Sequence, residues 1–221
     1  MSSVQLPLFN GVIGMPDGED LDASVDAVLE PFDTGGIPVL WILPAGDPAI
    51  VPILRARGFH TNGAPGMTID LEELPALERP AGTSVEEVDD VPDALRDAAT
   101  IALTTNGLPA DTADPYLEAL DRLPDRTTVR TFLAIREGEP VATSTLIAEA
   151  GVAGLYNVGT VTEARRTGLG RLVSIAAMAA GREAGYRVGV LQSSEMGEPI
   201  YRAMGFEQRC TFTFATRVPV A

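Results

Sequence analysis

The chain has 221 residues, 45% hydrophobic and 21% charged, which is globular composition sufficient for one large domain or two small ones. Its net charge of -15 and pI near 4.4 exclude a nucleic-acid partner, because a phosphate backbone needs basic surface. All sixteen basic residues are arginine, a bias of the genome rather than of any one function.

At the N-terminus, MSSVQLPLFNG lacks a basic region followed by an apolar core, so no signal peptide is expected. No apolar run approaches the ~20 residues of a membrane span, so a soluble, cytoplasmic protein with no membrane partner is expected. Residues 9–15 form a short apolar run ended by Pro16-Asp17-Gly18, a strand and turn. Leu21, Val25, Val28 and Leu29 are spaced as on a helix over 20–32, and Gly35-Gly36 breaks it. Residues 38–43, PVLWIL, read as a buried strand in which Trp41 is core. A helix over 48–57 closes at Gly58, and a strand follows around 66–71. The Pro-, Glu- and Ala-rich stretch 72–84 reads as a linker. It divides the chain into parts at 1–78 and 79–221.

The second part starts with a strand near 83–88 and helices over 92–106 and 113–123. Strands 129–136 and 141–148 are joined by the turn Glu137-Gly138-Glu139-Pro140. Strand 151–161 leads through Arg165-Arg166-Thr167-Gly168-Leu169-Gly170 into helix 169–184, which Gly185 caps. Strand 187–192, a short helix 199–204 capped by Gly205, and strand 207–217 complete the chain. Cys210, the only cysteine, lies in that alternating last strand; a lone cysteine excludes an intrachain disulfide and a Cys-based zinc site, and no metal is expected. Strand–helix alternation of this kind gives an α/β (α+β) fold with a mixed sheet.

The turn at 165–170 carries the chemistry. A strand that feeds a glycine turn at a helix start leaves several backbone N–H groups pointing at one spot, where the helix dipole favours an anion. Two arginines in the turn add charge of the same sign.

The chain also repeats itself. Pro52-Ile53-Leu54-Arg55-Ala56-Arg57-Gly58-Phe59 and Pro199-Ile200-Tyr201-Arg202-Ala203-Met204-Gly205-Phe206 agree at six of eight positions, at an offset of 147 residues. The same offset aligns Phe9-Asn10 with Tyr156-Asn157 and sets Gly18-Glu19-Asp20-Leu21-Asp22-Ala23 opposite the arginine turn. Carboxylates replace guanidiniums there, and Leu54 replaces Tyr201. The first copy reads as a scaffold without the chemistry.

These residues resemble the GNAT (N-acetyltransferase) superfamily. Its acetyl-CoA loop, Arg/Gln-x-x-Gly-x-Gly/Ala, is matched by Arg165, Gly168 and Gly170, and the segment 190–206 is similar to its closing strand, tyrosine-bearing helix and Gly-Phe. Thr162 stands where many members have proline. The first half resembles the degenerate N-terminal half of some two-part members.

The resemblance implies acetyl-CoA as co-substrate. Amides of Arg166, Thr167, Gly168, Leu169, Gly170 and Arg171 would hold the pyrophosphate. Val158, Gly159, Thr160 and Val161 would pair with the pantetheine arm and present an N–H to the thioester oxygen. Ser194 occupies the position of a family asparagine that contacts the cofactor. Tyr201, a phenol with an ordinary pKa of about 10, is the candidate general acid for the leaving thiolate. For the base, Glu149, Asn157, Asn106 and water all stay open; His60, in the first half, reads as structural.

The activity so implied is N-acetyl transfer by direct attack of a primary amine, on a small molecule or a peptide, by a monomer or homodimer. The alternative is a non-catalytic acyl-CoA-binding or interaction protein. A nucleotide-binding module fits less well, since the loop lacks both the Lys-Ser/Thr ending of a P-loop and the third glycine of a dinucleotide fingerprint.

Overall fold

The computed structural model describes residues 6–44 and 49–219, which group into two compact units. One consists of Met1–Gly66, Gln192–Glu195 and Gln208–Ala221, the other of Met67–Leu191 and Met196–Glu207.

The first unit holds β1 (Gly11–Ile13), α1 (Leu21–Gly35), β2 (Val39–Leu43), α2 (Ile50–Ala56), the start of β3 (His60–Asp70) and most of β9 (Glu207–Arg217). β1 runs parallel to β2, and β2 antiparallel to β9, with Trp41 opposite Ala215. Alternation along VLWIL turns Val39, Trp41 and Leu43 inward onto Leu29, Leu54 and Phe59. The Trp41 indole N–H donates to the Gly14 carbonyl at 2.8 Å, and the Phe59 ring meets the indole edge-on at 6.5 Å. Trp41 is core, as its sequence context indicates.

The second unit holds the rest of β3, β4 (Thr83–Glu87), α3 (Pro92–Thr105), α4 (Ala113–Asp121), β5 (Val129–Arg136), β6 (Glu139–Glu149), β7 (Val152–Thr160), α5 (Leu169–Glu183), β8 (Val188–Gln192) and α6 (Glu198–Ala203). Its strands lie in the order β3-β8-β7-β6-β5-β4. β4 to β7 are antiparallel neighbours and β7 is parallel to β8, so the sheet is mixed, as expected. Consecutive residues of β5 show which helix covers which face. Phe132 joins the cluster that α5 fills with Ile175, Ala177 and Met178, while Leu133 packs with Ala98 and Ile101 of α3. Among the described residues no helix is long and apolar enough to cross a membrane.

Three expectations need correction. The strand expected around 66–71 begins six residues earlier, so His60 lies on β3. The helix expected over 48–57 is found as Ile50–Ala56, with Pro48 outside the described residues. The stretch 72–84 does not start as a free linker. Leu71 and Leu74 are buried in the core of the second unit, and the Leu71 amide donates to the Arg187 carbonyl at 2.8 Å. The Pro- and Glu-rich composition masks a leucine every third residue, at 71, 74 and 77.

The units accordingly differ from a division at 78/79. Core membership follows strand pairing rather than chain order: the last strand of the chain groups with the first unit, while Met67–Asp70 of β3 group with the second. The strand–helix–strand–helix–strand order does recur, and at the offset of 147 residues β3 (His60–Asp70) falls on β9 (Glu207–Arg217).

Trp41 is fully buried and hydrogen-bonded. Trp41→Ala should therefore destabilise the first unit by about 3–5 kcal/mol, read as a fall in the urea midpoint by circular dichroism. A change under 1 kcal/mol would contradict this packing.

Candidate active site

The glycine turn and helix start expected around 165–170 are present. Gly168 is the N-cap of α5 at φ 84°, and no side chain caps this helix. Arg166 also has positive φ, at 61°, so the turn reverses hand twice before the helix starts. The first amide to find a carbonyl is that of Leu172, which donates to Gly168 at 2.9 Å. Among the described residues, the amides of 166–171 donate to no backbone or side-chain acceptor. Six donors without an acceptor thus sit at a positive helix end, the arrangement in which backbone amides can hold an anion.

The arginines divide the work. Arg165 Nε donates to the Thr160 carbonyl at 3.2 Å, tying the turn to the end of β7. The exposed Arg166 guanidinium has no partner among the described residues. Gly168 is required by its φ, since a Cβ there would meet nothing within 4 Å. At Gly170 a Cβ would lie 3.4 Å from Thr160 Oγ1, an ordinary contact.

The matching helix start in the first unit is closed. Asp20 caps α1 by accepting from the Ala23 amide at 3.1 Å, and Arg57 binds Asp22 and Asp26. A shallow depression of about 530 Å³ lies over this end, lined by Asp17, Glu19 and Asp20, and its charge is wrong for an anion.

β7 supplies the second element. It pairs with β8 only through Ala153↔Gly189 and Gly154↔Val190, and beyond Gly154 the two strands part. Val158, Gly159 and Thr160 thus lie where β7 has lost its β8 neighbour, next to the cradle. Gly159 passes under α3 so closely that a Cβ would collide with Thr105 Oγ1 and lie 3.1 Å from the Ile101 carbonyl. The other side of β7 carries a bulge. Two residue pairs, Thr143↔Gly159 and Thr145↔Tyr156, enclose one residue of β6 but two of β7, and Asn157 there has φ 52°.

Tyr201, on α6, is buried, its ring edge-on to Phe206 at 5.9 Å. Its hydroxyl reaches the Ser174 side chain, which itself donates to the Gly170 carbonyl at 2.8 Å. Burial pushes the phenol up to about 12, against a small opposing effect of Ser174. It stays protonated at neutral pH and so keeps a proton to donate.

The remaining candidates separate. Glu149 is exposed at the β6–β7 turn, away from the bulge, and its carboxylate accepts from the Ala150 amide, so it does not reach the site. Asn106 spends its amide on the Ala102 carbonyl at 2.7 Å at the end of α3. His60 is exposed on β3. Ser194 follows β8 in the stretch Gln192–Glu195, which groups with the first unit. Asn157 alone sits at the bulge.

Two residues near the cradle have no local signal in the sequence. Arg136, at the end of β5, donates to Thr167 Oγ1 at 3.2 Å and so brings a third guanidinium to the turn. Ser174 supports Tyr201 from α5. Both act across 27 or more positions of chain, where periodicity says nothing.

Comparison with known proteins agrees with this geometry. A family model described as an acetyltransferase (GNAT) domain matches residues 69–191, more than half of the chain. No curated protein matches. Among solved structures, a GCN5-related N-acetyltransferase from Kribbella flavida is 22% identical with a TM-score of 0.70, over 96% of this chain and 79% of that one. A GCN5-related N-acetyltransferase from Sphaerobacter thermophilus is 20% identical with a TM-score of 0.65, over 82% of this chain and 59% of its own. A tandem GNAT protein from the clavulanic acid biosynthesis pathway is 17% identical with a TM-score of 0.59, over 90% of this chain and 70% of its own. At these identities the likeness is one of fold.

The Tyr201 phenol ionises later in the fold than in the unfolded chain. It therefore favours the fold below pH about 10, and this contribution disappears as pH rises through about 12. The difference in absorbance between wild type and Tyr201→Phe should titrate near pH 12, and the wild type should lose more stability than the variant across that interval. Titration near 10 would show a solvated phenol.

Proposed function

Because the chain belongs to the GNAT acetyltransferase family, we propose that it moves the acetyl group of acetyl-CoA to a primary amine by direct attack on the thioester. The observation that carries this reading is the open cradle at 166–171, beside the length of β7 that has left β8. The residues present suit acetyl-CoA: the free amides and Arg166 match a pyrophosphate, and the unpaired side of β7 matches a pantetheine arm with its own amide groups.

When bound, acetyl-CoA supplies an activated acyl carbon and a thiolate leaving group. The chain's residues do the rest. Amides of Arg166, Thr167, Gly168, Leu169, Gly170 and Arg171 fix the phosphates, with Arg165 bracing the turn. Val158, Gly159, Thr160 and Val161 align the arm, and an N–H of this strand polarises the thioester carbonyl. Tyr201 returns a proton to the departing sulfur. A phenol held near 12 gives up its proton less readily than a solvated one, and it matches best a thiolate that is poorly solvated. Water takes the proton of the amine, since the structure leaves no carboxylate of the earlier candidates in place. Ser194 remains a proposed cofactor contact.

The first unit reads as the degenerate copy. Asp20 occupies the donors that a cofactor would need, and Leu54 stands in place of the phenol. One acetyl-CoA per chain follows.

Acetyl-CoA at a hundredfold excess over its Kd should stabilise the wild type by about 2.7 kcal/mol, seen as a rise in Tm, and an Arg166→Glu, Gly168→Glu double variant far less. Equal stabilisation of both, or two equivalents of CoA per chain in calorimetry, would refute the site. Across a panel of amines with detection of free thiol, Tyr201→Phe should lower kcat by about a hundredfold with acetyl-CoA affinity retained. Stabilisation by acetyl-CoA with no thiol release from any amine would instead support the non-catalytic reading.

A further inference from the structure

The bulge in β7 needs something to hold it. Asn157 adopts a left-handed φ of 52°, which side chains other than glycine accept only at a cost, asparagine at less than most. Its side chain is anchored at both ends of a short polar chain. Asn157 Nδ2 donates to the Tyr116 hydroxyl at 2.8 Å and lies 3.4 Å from Thr145 Oγ1, the residue paired one step before the bulge. Tyr116 belongs to α4, forty-one positions away. Its hydroxyl ties this helix to the bulge, and it meets Thr145 as well. Burial raises its pKa, so it remains a neutral phenol that can accept from Asn157 and donate to Thr145 in the same geometry. The charges within its reach are Arg126 and Asp89, which pair with each other at 3.5 Å.

The bulge lies immediately before the segment 158–161. A bulge adds a residue to one strand and turns the backbone that follows it, so its geometry decides which amide faces the gap beside β8. Gly159 is already pinned under α3. Asn157 is the other joint, and its side-chain bonds brace it.

We infer that Tyr116 is a positioning residue for acetyl transfer: through Asn157 it locks the β7 bulge and thereby aims the strand amide that polarises the thioester. The inference rests on the acetyl-CoA reading of β7.

The test is a double-mutant cycle on the full chain with Tyr116→Phe, which removes only the hydroxyl, and Asn157→Gly, which keeps the left-handed backbone accessible and removes the side chain. Each should lower kcat by about fivefold to tenfold at saturating acetyl-CoA and amine, with a smaller change in KM for acetyl-CoA. The double variant should be no slower than the slower single one, because both remove the same bond. Hydrogen exchange of the peptide spanning 152–161, measured without ligand, should rise about tenfold in Tyr116→Phe. Unchanged kcat and exchange in Tyr116→Phe, or losses that simply multiply in the double variant, would overturn the inference. If the wild type neither gains stability from acetyl-CoA nor releases thiol with any amine, the acetyl-CoA reading fails and takes the catalytic role of Tyr116 with it. Exchange at the bulge then still reports whether the lock exists. A wild type that turns over beside an equally active Tyr116→Phe rejects the lock alone.

Discussion

Everything at the site depends on a helix whose first turn has been left open. Most helix starts are closed by their own sequence, as α1 is by Asp20. α5 starts with a glycine in the left-handed region and no side-chain cap, so its first amides have no acceptor among the described residues. Such donors are tolerated because the turn is exposed and water can serve them. They become useful when an anion displaces that water.

A second constraint follows from the sheet. β7 must keep β6 on one side while letting β8 go on the other. A strand that loses a neighbour would ordinarily be an exposed edge, with unpaired backbone groups inviting association. On the face of the sheet above this stretch, Thr105 and Ile101 of α3 leave room for nothing larger than glycine at 159, so the strand is held against the helix where its edge is unpaired.

Much of this was legible in the sequence, because the decisive signals are local. Gly168, the arginines and the apolar run after them mark a turn and a helix start by chemistry that acts over six residues. The repeat, with Asp20 where the second copy has Thr167, indicates which copy is open. What stayed hidden acts at a distance. Arg136 and Ser174 reach the site through strand and helix packing, and the Asn157 bulge is visible only once Thr143 and Thr145 are seen to span three steps of β7. The misread linker has another cause: Leu71, Leu74 and Leu77 are too few and too well diluted by proline and glutamate to stand out, yet two of them are core. Glu149 failed as a base because sequence gives the identity of a strand residue but not how far it lies from a bulge.

The grouping of the last strand with the first unit bears on how the chain is made. β2 has its antiparallel partner in residues 213–217, so Trp41 and its neighbours cannot finish their sheet until that segment has been made. The second unit, by contrast, has its sheet once β8 emerges, and adds α6 soon after. The first unit thus closes its sheet through a pairing distant in sequence, which must form against a larger loop-closure entropy than the neighbouring strand pairs of the second unit.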